Sequence, residues 1–296
     1  MKAADAVALS PTELMNARFR KLVIPSLFVV LTGCGWTIFA LTITFTPTFP
    51  QWADYLIRAV LLVTFGALWW RGRRSAALDL FQPLFFAAFT VVLAISLGHW
   101  WGSWALHLLH PRANTIAWIT ITKLSETSLT LFGILALLKL TRLNMASVYL
   151  SRGRWQLSLI VGSLAAAGLT CWLLRLPQVR GITTGHILAL LPWALAFVLP
   201  NALMEELLFR GLFLRPSEAL IGKWPSVVST SLVFAFAHIR VTYAPDMPAF
   251  LITLLILALA WATLSQITRS IWGSVVFHAA ATMFIVVPMF AQMPLK

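Results

Sequence analysis

The chain has 296 residues, 60% of them hydrophobic and only 10% charged, with a formal net charge of +13. A soluble domain carries roughly 25% charged residues to cover its surface, so the composition excludes a water-facing globular fold. It predicts instead an all-α polytopic bundle of transmembrane helices, each crossing the hydrocarbon with about 20 apolar residues. The Lys and Arg residues sit in short clusters between apolar runs, the pattern of cytoplasmic loops, and not along one helix face as nucleic-acid binding would require.

Residues 1–21 are mixed and polar and read as an N-terminal cytoplasmic tail. The apolar run after Lys21 is too long for a signal-peptide core, so it reads as a retained first span. Nine candidate spans follow in order: 22–46, 55–70, 81–106, 115–138, 156–174, 186–209, 224–239, 248–267 and 271–291, with eight the count if one is re-entrant. Pro47, Pro50, Pro111, Arg152-Gly153-Arg154, Pro177, Pro216, Pro245 and Pro248 punctuate the breaks. Arg18, Arg20 and Lys21 before the first span, then loops bearing Arg71, Arg73 and Arg74, then Lys139, Arg142, Arg152 and Arg154, then Arg215 and Lys223, then Arg269, alternate with poorly charged ones. That alternation places the N-terminus in the cytoplasm. Tryptophans such as Trp52, Trp100, Trp155 and Trp272 fall near span ends and read as an interfacial belt. Cys34 and Cys171 read as buried free thiols without metal or redox spacing.

Ionisable groups within a bilayer are costly and mark function. Of the acidic residues only Glu126, Glu205 and Glu206 lie deep in apolar spans. Arg210 follows Glu206 by one turn and shares its face, so the two form a brace. Glu205 points about 100° away. Left without that partner in an apolar setting, it is the candidate general base. His238 and His278 sit in later spans, among small residues that permit close helix approach. Carboxylates and imidazoles converging on water make a hydrolytic arrangement, while Glu205, His238 and His278 together could also ligate one zinc ion. Two further groups carry the blander reading. Lys123 and Glu126 read as an internal ion pair, and His99, His107 and His110 as interfacial residues. Asp54 and Arg58 read as a helical pair.

Glu205-Glu206-x-x-x-Arg210, then Phe234-x-x-x-His238, then His278 resembles the CPBP family of intramembrane proteases. That group includes the type II CAAX prenyl endopeptidase and bacterial proteins linked to bacteriocin immunity. The resemblance covers about residues 190–285, and it implies a protease core over 151–296 with 22–150 as accessory transmembrane spans. It implies that Glu205 and His238 activate water, that His278 supports the oxyanion, and that Glu206 and Arg210 brace the site. It also implies a peptide or protein substrate at or in the membrane, with the lipid bilayer as the other partner. A bacterial inner membrane is the expected location, and the cofactor stays open between Zn²⁺ and none. Thr282 stands where the family places an amide or acid, so Thr282 is a shorter candidate oxyanion donor and Asn201 an alternative source of an amide. Two rival readings use the same residues: a proton-coupled transporter, for which no internal repeat is found, and a catalytically silent scaffold.

Overall fold

The computed structural model describes residues 11–42, 49–75, 78–150 and 153–295. Residues 1–10, which hold much of the expected tail, lie outside these segments, as do residues 43–46 of the first expected span, Pro47 and Arg152. Every regular element among the described residues is helical: α1 (Pro11–Thr42), α2 (Gln51–Gly72), α3 (Gln82–Leu109), α4 (Ile116–Leu140), α5 (Trp155–Leu173), the single turn α6 (Pro177–Arg180), α7 (Thr184–Glu206), α8 (Arg215–Ile221), α9 (Lys223–Ala237), α10 (Met247–Thr268) and α11 (Trp272–Ala291). Helix starts follow local chemistry. The hydroxyls of Thr115 and Thr183 and the Asp246 carboxylate each accept a backbone N–H that the first turn of α4, α7 or α10 leaves unpaired.

Among the described residues, eight helical stretches are long and apolar enough to cross a membrane. One of them is the unbroken run Thr184–Ile221, in which a π-helical segment, Leu207–Leu214, joins α7 to α8. The expected span 224–239 is the exception. Its helix, α9, has 15 residues and is therefore about 22 Å long, short of the roughly 30 Å hydrocarbon core.

Small residues let the helices close on one another. A Cβ at Gly273 of α11 would lie 1.8 Å from the Ser158 carbonyl oxygen of α5, and one at Gly162 would lie 2.2 Å from the Gly273 carbonyl. The Ser158 hydroxyl accepts the Gly273 N–H at 3.0 Å, a hydroxyl bond of the kind that holds membrane helices together. Val63, Phe132, Leu164 and Ile252 face outward, as a bilayer permits. The same fact corrects the expectation for the two cysteines. Cys34 and Cys171 are exposed, because an apolar thiol needs no protein cover on a lipid-facing surface.

The two ends of the bundle differ. At one end Ile116 and Ala117, opening α4, donate their N–H groups to the carbonyls of Pro294 and Leu295. At the other, Arg269 binds Glu218 through both carboxylate oxygens at 2.9 and 3.2 Å and donates to the Tyr149 hydroxyl at 3.0 Å. The Ile271 N–H adds a bond to the Tyr149 carbonyl, and Arg215 donates to the Ala146 carbonyl. Burial, then the Glu218 charge, push the Tyr149 phenol up to about 12. The expected Asp54–Arg58 pair is present at 2.8 Å.

Candidate active site

The site is built from α7 outward. Asn201 precedes Glu205 by one turn and donates its side-chain N–H to Glu205 Oε1 at 3.2 Å. Glu206, fully buried, lies 3.1 Å from Arg210 Nη1, also fully buried. The expected ion pair is therefore present. Arg210 belongs to the π-helical segment, a local widening often found at functional sites. Its Nη2 donates to the Ala258 carbonyl of α10 at 3.1 Å, and its guanidinium lies 4.7 Å from the centre of the Phe234 ring. Glu206 Oε2 and Arg210 Nε make no hydrogen bond among the described residues, so the pair is tightly enclosed rather than fully satisfied.

Both histidines are anchored through Nδ1, by different means. Where α9 ends, the His238 N–H bonds to Ala235 O, one residue short of the helical register. That leaves the Phe234 carbonyl to accept from His238 Nδ1 at 2.8 Å. A carbonyl only accepts, so Nδ1 carries the proton and the neutral ring keeps its lone pair on Nε2. His278 of α11 instead places Nδ1 2.9 Å from Glu206 Oε1, and its Nε2 lies 3.4 Å from Glu205 Oε2. Glu206 thus does more than brace Arg210: it also orients His278. Glu205 is not left alone, as the sequence had suggested, but sits between Asn201 and His278. Trp261 stacks on the His278 ring with centroids 4.0 Å apart and planes 11° from parallel. Phe234 meets the same imidazole edge-on at 5.6 Å. The aromatic walls therefore fix the plane of the imidazole.

These groups border a cavity of about 650 Å³ lined by Asn201, Glu205, His238, Trp261, His278 and Thr282. The Thr282 hydroxyl donates to the His278 carbonyl of its own helix at 3.1 Å. Its single proton is committed there, which counts against Thr282 as an oxyanion donor in this conformation. Lys123 and Glu126 of α4 also line the cavity, although the sequence reading left them outside the site. The cavity runs from Glu205 and His278 along α11 to Met289 and along α4 to Trp118. It therefore extends toward the end of the bundle that holds Pro294, away from Glu218 and Arg269.

A metal ion was one expectation for Glu205, His238 and His278. Among the described residues no group of three or more His, Cys, Asp or Glu side chains is placed to hold one. No step below passes through a metal.

Residues 187–284 match the protein-family model described as Rce1-like, type II CAAX prenyl endopeptidase Rce1-like. No curated protein and no solved structure matches the chain significantly. The matched segment runs from the start of α7 to late α11 and contains every residue of the motif set, and its family is the one those motifs resemble. It leaves out α4, and with it Lys123 and Glu126.

Proposed function

We propose that this chain, whose residues 187–284 are of the type II CAAX prenyl endopeptidase kind, is an intramembrane endopeptidase that hydrolyses peptide bonds with water activated by Glu205. The observation that carries the proposal is the meeting of Glu205 and His278 at one wall of a mainly apolar cavity, with Glu205 Oε2 and His278 Nε2 3.4 Å apart and Glu206 enclosed behind them on His278 Nδ1. Water held there gives a proton to the Glu205 carboxylate and its oxygen attacks the peptide carbonyl. Glu205 then passes that proton to the leaving amine, so the products are a carboxylic acid and an amine. His278, held by Glu206 and flattened against Trp261, positions the water. His238 and Asn201 supply the remaining polar groups: the Asn201 amide carries a second N–H beyond the one given to Glu205, suited to a developing oxyanion.

In the orientation we favour, the basic loops and the N-terminus face the cytoplasm. Purified protein reconstituted in lipid is expected to cleave apolar peptides. Glu205→Gln is expected to lower turnover by about 10²–10⁴-fold, the usual contribution of a general base, with an unchanged melting profile. Undiminished cleavage by that variant sinks the mechanism. Metal analysis of the same preparation, with activity measured before and after chelation, tests the metal-free reading. The Thr282 hydroxyl, tied to its own helix, gives a second reading some ground: a silent family member serving as a scaffold. Absence of turnover in both wild type and Thr282→Asn would favour it.

A further inference from the structure

The catalytic residues do not account for the charge that α4 brings to the same cavity. Lys123 and Glu126 line the cavity from α4, in company with apolar side chains that include Ile119, Phe197, Leu254, Ile285 and Met289. A lysine there is costly unless something needs it. Its ion pair with Glu126 is loose, with Nζ 3.6 Å from Oε2, and both side chains stay about a quarter exposed to the cavity. An ammonium group has three donors, so one distant carboxylate leaves capacity for a second acceptor. Glu126, in contrast, is held from several sides. His99 Nδ1 lies 3.9 Å from its other oxygen. Beneath it, α3 carries glycines at 98 and 102, and a Cβ at Gly102 would come within 2.5 Å of Glu126 Cγ. The glycine notch seats Glu126, and Glu126 holds Lys123 against the cavity.

We propose that Lys123, positioned by Glu126 over the notch at Gly98 and Gly102, is a substrate subsite that binds a carboxylate of the peptide while the apolar walls take its side chains. The proposal rests on the endopeptidase reading for the identity of its ligand as a peptide, and on α3 and α4 for its chemistry. The carboxylate could come from a free C-terminus or from an acidic side chain, and the test separates these sources.

Binding is measured on the full chain carrying Glu205→Gln in lipid nanodiscs, so that no turnover intrudes. The probes are fluorescent apolar hexapeptides in three forms: with a free C-terminal carboxylate, with a C-terminal amide, and with a C-terminal amide plus one aspartate. At least one carboxylate form is expected to bind tenfold to a hundredfold tighter than the plain amide, roughly what a charge-assisted hydrogen bond contributes. Whichever form gains identifies the source. Adding Lys123→Gln is expected to erase the difference, whereas Lys123→Arg keeps it. Equal binding of all three forms overturns the subsite, as does a preference that survives Lys123→Gln or a failure of all three to bind. Should Lys123→Gln not fold, the three-peptide comparison and Lys123→Arg still decide the question. A wild-type protein that binds the favoured peptide but never cleaves it would end the endopeptidase reading and leave the subsite standing.

Discussion

At the scale of single residues, the two adjacent glutamates are separated by their partners rather than by their chemistry. Glu206 is fully enclosed and answers to Arg210 and His278, whereas Glu205 borders the cavity. Removing one member of a buried pair leaves a charge without compensation, at a cost of about 3–5 kcal/mol. Arg210→Met is therefore expected to lower the melting temperature of the purified protein sharply. The double variant Arg210→Met with Glu206→Gln is expected to recover part of that loss, and thermal melts of the three proteins check both statements. At position 282 the expectation runs the other way. Thr282→Asn offers amide N–H groups not already committed to the His278 carbonyl, and losing or gaining one oxyanion donor shifts rates by about 10²–10³-fold. A rise in turnover number is the expected result, read in the peptide assay.

At the scale of elements, three close fits set the geometry. The π-helical widening at Leu207–Leu214 carries Arg210 onto α10 while Glu206 still reaches it. The early stop of α9 frees the Phe234 carbonyl that fixes the His238 ring. The glycine contact between α11 and α5 sets the approach of the helix bearing His278. A methyl at Gly273 would collide with backbone rather than with a flexible side chain. Gly273→Ala is expected to cost at least about 1–3 kcal/mol, and Gly168→Ala, where nothing lies within 4 Å, is the matched control in the same melts. The sequence disclosed the helices and the motif residues well, because apolar runs and charges inside them are local signals. It did not disclose which carboxylate meets which imidazole. The His278–Glu206 bond spans 72 positions and depends on how α11 lies against α7. Trp261 stayed hidden for a related reason: an aromatic residue in an apolar run carries no local mark of stacking on a histidine. Lys123 and Glu126 were visible as an ion pair, but their place on the cavity wall follows only from the packing of α4 beside α7. Eight crossings were among the expected counts, and the run 224–239, like the 15-residue α9 it became, is too short for the hydrocarbon core.

At the scale of the whole molecule, the end of the bundle remote from the cavity is tied by Tyr149, Glu218 and Arg269. Tyr149 is buried and its phenol ionises only near 12, against 10.0 for an ordinary tyrosine. A raised value in the folded state means that this contribution to stability is complete below pH 10 and is lost as pH rises from 10.0 toward 12. Tyr149→Phe is thus expected to be less stable than wild type at neutral pH and to show a shallower decline through that alkaline window, measured as melting temperature against pH. The cavity itself has the volume typical of sites for drug-sized molecules, with an ammonium group on one wall and a carboxylate–imidazole pair on another. A tight inhibitor would need two heads on one greasy scaffold. A hydrated-carbonyl mimic would face Glu205 and an acid would face Lys123, and either head alone would forfeit the other's grip.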